Sequence, residues 1–578
     1  MVRLMLYSPR TAFQEVVMMH RFSGLSRLFF FFCAFSGLFF SHKPAEAEDG
    51  IPQMPFTKGV NLSSWFEVSS AGQILVNRHG PEDFAALKAL GIEVVRLPIN
   101  LHPMTSGAPD FTIDPLLFEF LDSAIDRAEA AGLYIIIDNH TFNPSIPTEP
   151  AVEETLHKVW TQIALRYRDR SDRVLYEILN EPHGISPKKW AAIQGRVIET
   201  IRAVDDRHWI VVGGANFNSY TELNGLPNYA DDKLLYTFHF YDPFIFTHQG
   251  ASWTDPPLTP LAAVPFPPGV SPMPKVPQEL RSTWVAGSLK NYSREGSPEQ
   301  VTKAIDIAWK FAKKRKVPVF CGEFGVYVPN SLQGDRARWY ALVGEHLEKR
   351  GFSWALWDSF GSFGMFTPGA GTRFESDLDT DVTDALGLNT PVQVSRTSKP
   401  LSGPVVLFDD YPADRIRYSG YVSTDGIISL YERDRARGTY AIRMANLDRY
   451  NHLGLIFPAP QDMTALVRDG YAVTLYARTT AKDVRFDIRF VNPDAGPDDM
   501  PWRMSATIDS TMLPPDGEWH RIRIPLSAMH TTGAWKDAWF PDAGNSFDWS
   551  RVARFEIVPE HHDFHGMEFL FDGIVIEK

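Results

Sequence analysis

The feature that most constrains the fold of this chain is a regular alternation of eight short apolar runs with helical patterns. The runs lie at 59–65, 92–98, 133–138, 174–180, 209–213, 234–239, 317–322 and 352–357. Most of them are continuously apolar, which is typical of parallel strands buried on both faces. The pattern predicts a (β/α)8 barrel over residues 48–389. An open doubly wound sheet is the weaker alternative, because no glycine-rich phosphate loop follows the first run.

Helices between these runs have recognisable first residues. Asp114, Ser186 and Ser297 each precede a proline, and Gln300 completes a capping box with Ser297. A short polar side chain at this position accepts a hydrogen bond from a free backbone N–H, and proline is tolerated next to it because no donor is needed there. These signals support the alternation of strand and helix.

The chain changes character after residue 389. Residues 390–404 are rich in Pro, Ser and Thr and are interpreted as a linker. In residues 405–578, the segment 484–490 alternates strictly between apolar and charged side chains, and 520–524 and 554–557 nearly do so. Period-two strands with no long helix predict an antiparallel β-sandwich. The closing run 567–576 resembles the last strand of jelly-roll carbohydrate-binding modules.

The N-terminal segment 1–47 is interpreted as a secretory signal peptide. Its apolar core at 28–40 follows Arg21 and Arg27 and precedes an A-x-A site at 45–47. A membrane anchor is the competing interpretation, but this core is shorter than the ~20 residues that a spanning helix needs. We therefore expect a secreted or periplasmic protein with no stable membrane insertion after cleavage. Cys321 would then be its only thiol, so no internal disulfide is expected.

The net charge of the chain limits the classes of macromolecule that it is expected to bind. The chain carries 57 basic and 70 acidic residues, a formal net charge of −13. Such a protein repels polyanions, so no nucleic-acid partner is expected, and a neutral polysaccharide is favoured over pectin or alginate. The composition indicates no particular oligomeric state.

Polar side chains cluster where the predicted strands end. Read in order, these residues are Arg96, His140, Asn180, Glu181, His239, Tyr241, Glu323 and Trp357. In a (β/α)8 barrel these ends converge on one mouth. Two of the groups are carboxylates, on the fourth and seventh strands and roughly opposite one another. Paired carboxylates flanking a bond are what glycoside hydrolysis requires.

These residues lie in motifs that resemble glycoside hydrolase family 5, the retaining β-glycanases of clan A. The motifs are Gly59-Val-Asn-Leu62, Arg96-Leu-Pro98, Asp138-Asn-His140, Leu179-Asn-Glu-Pro182, His239-Phe-Tyr241, Gly322-Glu-Phe-Gly325 and Trp357. The resemblance implies that Glu181 is the acid/base and Glu323 the nucleophile, with no cofactor. It further implies that Asn180 binds the 2-hydroxyl and that Arg96 and Tyr241 orient Glu323. His140, His239 and Trp357 would line the cleaved subsite.

Other chemistries fit the sequence less well. Glu177 and Asp138 lie deeper in their strands than Glu181 and His140, so we expect them to be structural acids. A catalytic metal is not expected, because no H-x-x-x-H or His-x-Asp cluster lies within the predicted barrel at 48–389. A Ser-His-Asp triad is not expected either, because no G-x-S-x-G elbow follows a strand.

The segment 243–297 is a long, proline-rich connection that carries Trp253 and Trp284. Connections of this length are usually functional or disordered, so we interpret it as a cleft wall with substrate-binding tryptophans. The stretch 240–253 resembles a run in bacterial endoglucanases of the family and favours a glucan substrate.

The sequence thus predicts an exported endo-β-1,4-glucanase acting on a β-glucan. Mannanase, xyloglucanase and β-1,3-glucanase activities are alternatives within the family, and a non-catalytic polysaccharide-binding protein is the remote one. In the sandwich, Trp535 and Trp539 lie in a turn-rich stretch and are the candidates for exposed glycan-stacking residues. A purely structural cap docked on the barrel remains the alternative for this region.

Overall fold

The computed structural model describes residues 50–395, 399–423, 425–496, 499–542, 544 and 546–578. The predicted signal peptide at 1–47 lies outside these residues, as does 396–398 within the predicted linker. In the described part of the chain, no helix combines the length and apolar character needed to cross a membrane.

Eight parallel strands form a closed barrel in the order of the sequence. They are β1 (Lys58–Asn61), β2 (Val94–Ile99), β3 (Tyr134–Asn139), β4 (Val174–Glu177), β5 (Trp209–Gly213), β6 (Leu234–Phe240), β7 (Val319–Phe324) and β8 (Ser353–Leu356). Each predicted run overlaps one of them, and β8 pairs with β1 to close the ring. The predicted (β/α)8 barrel is confirmed.

Helices connect the strands and cover the barrel. They span Pro81–Leu90, Pro115–Ala130, Val152–Tyr167, Pro187–Arg202, Ala215–Asn218, Phe244–Thr247, Trp284–Glu295, Pro298–Arg315, Gln333–Lys349 and Thr380–Ala385. The three predicted starts are confirmed: Asp114, Ser186 and Ser297 each accept a hydrogen bond from a backbone N–H of the first helical turn.

The segment 243–297, interpreted from the sequence as a long connection, contains regular secondary structure. It contains the helix Trp284–Glu295, which begins at Thr283, whose side chain accepts from the backbone N–H of Val285. Val285, Leu289 and Tyr292 are its buried face. The sequence analysis did not predict this helix, because the prolines before residue 283 interrupt any helical period in the segment as a whole.

The inside of the barrel has an apolar half and a charged half. Val94, Ile136 and Leu175 belong to an apolar cluster inside the barrel. Two residues further along the same strands, and therefore on the same face, lie Arg96, Asp138 and Glu177. The strands thus present apolar side chains at their N-terminal ends and charged side chains at the C-terminal ends, where the site lies.

Antiparallel strands follow from residue 405. They are β9 (Val405–Asp409), β10 (Tyr411–Pro412), β11 (Arg417–Tyr421), β12 (Ile427–Glu432), β13 (Ala441–Ala445), β14 (His452–Gln461), β15 (Ala472–Thr479), β16 (Arg485–Val491), β17 (Arg503–Asp509), β18 (His520–Pro525), β19 (His530–Lys536), β20 (Ala538–Phe540), β21 (Val552–Val558) and β22 (Glu568–Glu577). A short helix, Thr464–Arg468, lies among them.

These strands form two seven-stranded sheets. The first contains β9, β10, β12, β13, β15, β18 and β22, and the second has the order β11-β14-β21-β16-β17-β19-β20. Aromatic residues pack between the sheets, such as Phe486 of β16 against Phe569 and Phe571 of β22. The predicted antiparallel sandwich is confirmed.

The sandwich docks against the helix Pro115–Ala130 and the turns that precede the second barrel strand. Phe120 lies 4.7 Å from Tyr431 between ring centroids, and the hydroxyl of Tyr431 donates to the carbonyl of Ile74. Arg415 donates to the Asp83 carboxylate at 2.7 Å. The interface consists of packed aromatic rings with hydrogen bonds around them. It fixes the position of the sandwich on the barrel.

Candidate active site

The polar residues predicted at the strand ends form one connected network at the mouth of the barrel. Its members are Arg96, His140, Asn180, Glu181, His239, Tyr241, Glu323 and Trp357, linked by hydrogen bonds, ion pairs and one ring stack. Residues from β2, β6 and β7 and from the segments that follow β3, β4, β6 and β8 contribute. The convergence expected from barrel topology is therefore observed.

Arg96 is the hub of this network and is fully buried. Its guanidinium donates to both oxygens of Glu177 at 2.7 and 2.9 Å, to Oε1 of Glu323 at 2.8 Å, and to the side-chain oxygens of Asn61 and Asn180. Burial opposes its charge, but the neighbouring carboxylates outweigh burial and raise the pKa of Arg96 above its ordinary value. The two bonds to Glu177 agree with the structural role expected for that acid.

Both oxygens of Glu323 are held by donors. Oε1 accepts from Arg96, and Oε2 accepts from the hydroxyl of Tyr241 at 3.0 Å. Glu323 is 4% exposed, so water contributes little to its orientation. Burial and the adjacent carboxylate raise the pKa of Tyr241, which therefore remains a donor at neutral pH. This environment suits a carboxylate that is fixed in direction by charged and neutral donors.

Glu181 has a different environment. No arginine donates to it in the described structure, and burial raises its pKa to about 7 against the opposing charges of His140 and Arg96. Its backbone φ is +44°, in the left-handed region that residues other than glycine rarely adopt. Backbone strain of this kind concentrates at functional sites, where the surrounding structure holds it in place. A carboxyl group with this pKa can both give and take a proton near neutrality.

His239 bridges the two carboxylates. Its Nδ1 lies 2.7 Å from Oε1 of Glu181 and 3.4 Å from Oε2 of Glu323. Burial lowers the pKa of His239 to about 4, so its ring is neutral at working pH. The amide nitrogen of Asn218 lies 3.5 Å from Nε2 and donates to it, which places the proton of the ring on Nδ1. His239 therefore donates to Glu181.

The distances between Glu181, His239 and Glu323 are compatible with two kinds of chemistry, glycoside hydrolysis and metal binding. One atom each from Glu181, His239 and Glu323 can be chosen so that all three lie within 4.8 Å of one another. Such a set can hold a cation by distance alone. However, both oxygens of Glu323 already accept from Arg96 and Tyr241, and the charge of Arg96 repels a cation. The close carboxylates match the ~5–5.5 Å separation of retaining glycosidases better than the ~6.5–9.5 Å of inverting ones.

His140 and Trp357 form a second wall of the mouth. Their rings are stacked, with centroids 5.4 Å apart and planes 13° from parallel. Nδ1 of His140 lies 2.7 Å from Oδ2 of Asp138. Burial disfavours the charged ring, but the Asp138 carboxylate outweighs burial and raises the pKa of His140 to about 9. Asp138 thus acts on the site through His140, one layer below the mouth, as expected for a structural acid.

The two loop tryptophans lie on the protein surface at different distances from this network. Trp253 is 48% exposed, and its ring packs edge-on against Tyr327 and near Phe363, which in turn contacts Tyr241. Trp284 is 44% exposed and lines a pocket of about 260 Å³ together with Tyr220, Asp242 and Phe244. Their exposure excludes a core role for both residues. The structure places Trp253 beside the network and Trp284 one aromatic residue further out.

The sequence analysis missed an aromatic platform on the Glu181 side. Phe217 is 44% exposed and stacks on His183 at 4.5 Å, and its backbone N–H donates to the carbonyl of Pro182. Residues 216–218 have φ values of +56°, +61° and +51° in succession. This left-handed turn presents Phe217 to the cleft and Asn218 to His239. It contains no glycine, but two of its three residues are asparagine, which adopts left-handed conformations more readily than most residues, so a weak sequence signal could have marked it.

A parallel eight-stranded barrel with facing carboxylates at its mouth is the architecture of the barrel glycoside hydrolases. The chain belongs to glycosyl hydrolase family 5. The model of that family, Cellulase (glycosyl hydrolase family 5), matches residues 56–362, more than half of the chain. The match contains all eight barrel strands and ends before the sandwich.

Similar proteins include two endoglucanases. The chain is 30% identical over 336 residues to Endoglucanase 3 of Fibrobacter succinogenes, across 54% of this chain and half of that protein's length. It is 27% identical over 322 residues to Endoglucanase C of Acetivibrio thermocellus, across 52% of this chain and 91% of that protein. A solved structure of endoglucanase Cel5A from Thermotoga maritima is 26% identical, with a TM-score of 0.48 over 57% of this chain and 96% of that one.

Proposed function

We propose that this protein is an exported endo-β-1,4-glucanase that hydrolyses a neutral β-glucan with retention of anomeric configuration. The observation that carries the proposal is the unequal pair of carboxylates. Glu323 is fixed by Arg96 and Tyr241, whereas burial raises the pKa of Glu181 to about 7. Two carboxylic acids held in opposite protonation states are what a retaining mechanism uses.

In the first step, an oxygen of Glu323 attacks the anomeric carbon and the glycosidic C–O bond breaks. Glu181 gives its proton to the departing sugar oxygen, so the leaving chain departs as an alcohol. The glycosyl–Glu323 ester remains, and Glu181 is now a carboxylate. Its hydrogen bond from Nδ1 of His239, at 2.7 Å, supports this new charge.

In the second step, Glu181 takes a proton from a water molecule, whose oxygen attacks the same carbon. The ester bond breaks, Glu323 leaves as a carboxylate, and Arg96 and Tyr241 receive that charge with bonds already in place. Glu181 ends the cycle protonated. Two inversions give net retention.

Neighbouring residues would hold the sugar on the cleaved side. Oδ1 of Asn180 already accepts from Arg96, so its amide nitrogen is directed to donate, which suits the 2-hydroxyl of the reacting sugar. Trp357 is partly exposed and stacked on the cationic His140, which suits a ring that lies under a pyranose. On the leaving-group side, the exposed ring of Phe217 next to the Glu181 segment is the corresponding platform.

A β-1,4-glucan is the favoured substrate because the similar curated proteins are named endoglucanases and because the net charge of −13 disfavours acidic polymers. Mannan, xyloglucan and β-1,3-glucan are the alternatives within the family. Secretion or periplasmic export is proposed from the signal-peptide pattern at 1–47.

A reducing-sugar assay on the uncharged polymers hydroxyethyl cellulose, lichenan, mannan and xyloglucan tests this proposal. We expect hydrolysis of the first two, and none by Glu323→Ala. Glu181→Ala should retain activity only on aryl glycosides with activated leaving groups. Glu299→Ala is the matched control, because among the described residues the Glu299 carboxylate pairs with Lys303 alone, on an exposed helix surface. Hydrolysis confined to mannan or xyloglucan would contradict the glucan assignment, and an active Glu323→Ala variant would contradict its role.

A further inference from the structure

The outward face of the second sheet of the sandwich carries charged side chains that are nevertheless buried. Along β16, Phe486, Ile488 and Phe490 point into the core, so Asp487 and Arg489 point the opposite way. Asp487 and Arg489 are each only 5% exposed. An outward sheet face is ordinarily solvated, so the burial of these two charged side chains means that neighbouring side chains cover them.

The charges on this face balance one another. Arg489 donates to Glu556 at 2.5 Å and to Glu560 at 2.7 Å, and Arg554 donates to the other oxygen of Glu556. Asp487 accepts from Thr507 at 2.7 Å and lies 2.8 Å from Nε2 of His561. We call the surface formed by Asp487, Arg489, Arg503, Arg554, Glu556 and Glu560 the polar face. A surface of balanced charge suits an uncharged ligand rich in hydroxyl groups better than a polyanion.

Arg503 is the member of the polar face with spare donors. Among the described residues its guanidinium makes no hydrogen bond, and its nearest carboxylate oxygen, on Glu560, is 4.0 Å away. Burial, reinforced by the charge of Arg489, lowers the pKa of Arg503 to about 10. The side chain is only 16% exposed, so its unused N–H groups represent a binding capacity that the protein does not satisfy internally.

Two exposed tryptophans border Arg503. Trp535 and Trp539 are directly opposite one another on the hairpin of β19 and β20, so they share one face, and they are 57% and 47% exposed. The ring of Trp539 lies over Gly533, where a Cβ would be 2.8 Å from the ring, and its centroid is 5.5 Å from the guanidinium carbon of Arg503. Glycine at 533 therefore leaves room for this ring beside the arginine.

The hairpin itself is held in place. Nζ of Lys536, between the two tryptophans, donates to the carbonyls of Gly496 and Asp499 at 2.8 and 2.7 Å. Large aromatic side chains that are exposed and yet fixed are costly to leave in water, and they are typical of recognition surfaces.

We propose that Arg503 of the polar face and the Trp535–Trp539 pair form a second binding site, separate from the cleft, for an uncharged β-glucan chain. The indole faces would stack on the C–H faces of pyranose rings, and Arg503 would donate to their hydroxyls. The choice of glucan rests on the proposed function. Because the sandwich is packed against the barrel, a glucan chain bound at this second site would raise the effective concentration of substrate at the cleft.

The test measures retardation of the full chain in native gels that contain soluble mixed-linkage β-glucan. Every protein carries Glu323→Gln so that the polymer is not degraded. We expect Trp539→Ala, Trp535→Ala and Arg503→Leu each to weaken the association by ~5-fold or more, as losing an aromatic stack on a planar ligand does elsewhere. Arg521→Leu is the matched control, because Arg521 pairs with Glu577 on the other sheet. It should migrate as the parent does.

Hydrolysis measured separately, with Glu323 intact, distinguishes this site from the proposed function. Active versions of the four variants should hydrolyse an aryl cellobioside at the parental rate and melt at the parental temperature. If the chain hydrolyses β-glucan but all three site variants are retarded as strongly as the parent, the second site is wrong and the function stands. If no β-glucan is hydrolysed but retardation depends on these three residues, the site stands and the function is wrong. Equal weakening by Arg521→Leu would also overturn the site.

Discussion

Replacing Arg96 with lysine keeps the buried positive charge but removes the geometry that connects the active-site network. All five N–H groups of Arg96 are used, in hydrogen bonds to Glu177, Glu323, Asn61 and Asn180. A lysine ammonium has three donors, so at least two of the five bonds are lost. Each unsatisfied buried acceptor costs ~1–3 kcal/mol, so two of them predict a total loss of ~2–6 kcal/mol. This total is divided between a lower free energy of unfolding and a higher free energy of the transition state.

Two measurements separate these contributions: the midpoint of chemical unfolding, and kcat/KM on an aryl cellobioside at a temperature where both proteins are folded. We expect Arg96→Lys to lower kcat/KM by ~100-fold or more, equivalent to ~2.7 kcal/mol, because Glu323 loses its fixed donor. Arg336→Lys is the matched control. Arg336 is equally buried but makes two hydrogen bonds, to Asp379 and the carbonyl of Gly364, which an ammonium can also satisfy. A variant at Arg96 within ~3-fold of the parental kcat/KM and no less stable than Arg336→Lys would refute the reasoning.

Three further predictions concern proton transfer and the walls of the cleft. Glu181 must be protonated to act and its pKa is raised to about 7, so kcat/KM should fall as pH rises above about 7; a profile still flat at pH 9 would contradict this. Phe217→Ala should lower kcat/KM on cello-oligosaccharides by ~5-fold or more while sparing an aryl cellobioside, because only the former place a sugar on the leaving-group side; equal losses on both would argue for a structural role. Trp253→Ala and Trp284→Ala should each cost ~1–3 kcal/mol on polymer with little change in melting temperature, whereas a large fall in melting temperature would show that these rings stabilise the fold.

The barrel and the convergence at its mouth could be predicted from the sequence because both follow from local patterns. Continuous apolar runs identify strands buried on both faces, and barrel topology then brings their C-terminal ends together. Glu181 and Glu323 were placed opposite one another in this way, and the structure brings them together with their expected neighbours. Residues such as Glu177 were distinguished by depth along the strand, which the two-residue period supplies.

The remaining features depend on contacts that no local pattern shows. The helix Trp284–Glu295 lies in a proline-rich segment, and its apolar face becomes visible only against its packing partners. The left-handed turn at 216–218 contains no glycine, and Asn216 and Asn218 are only a weak signal for it, so the placement of Phe217 depends on the surrounding structure. In the sandwich, the alternation along β16 predicted a strand but could not show that the charged Asp487 and Arg489 are buried. Only the fold shows what covers them.

Retention at the anomeric centre tests the central claim most directly, because it depends on Glu323 acting as nucleophile and Glu181 as acid and then base. Proton NMR recorded in the first minutes of hydrolysis of a soluble cello-oligosaccharide reports the configuration of the newly formed end before mutarotation scrambles it. The proposed mechanism predicts that the β-anomer appears first and the α-anomer grows later at the mutarotation rate. Initial formation of the α-anomer would contradict the double displacement and the assignment of Glu323 as its nucleophile.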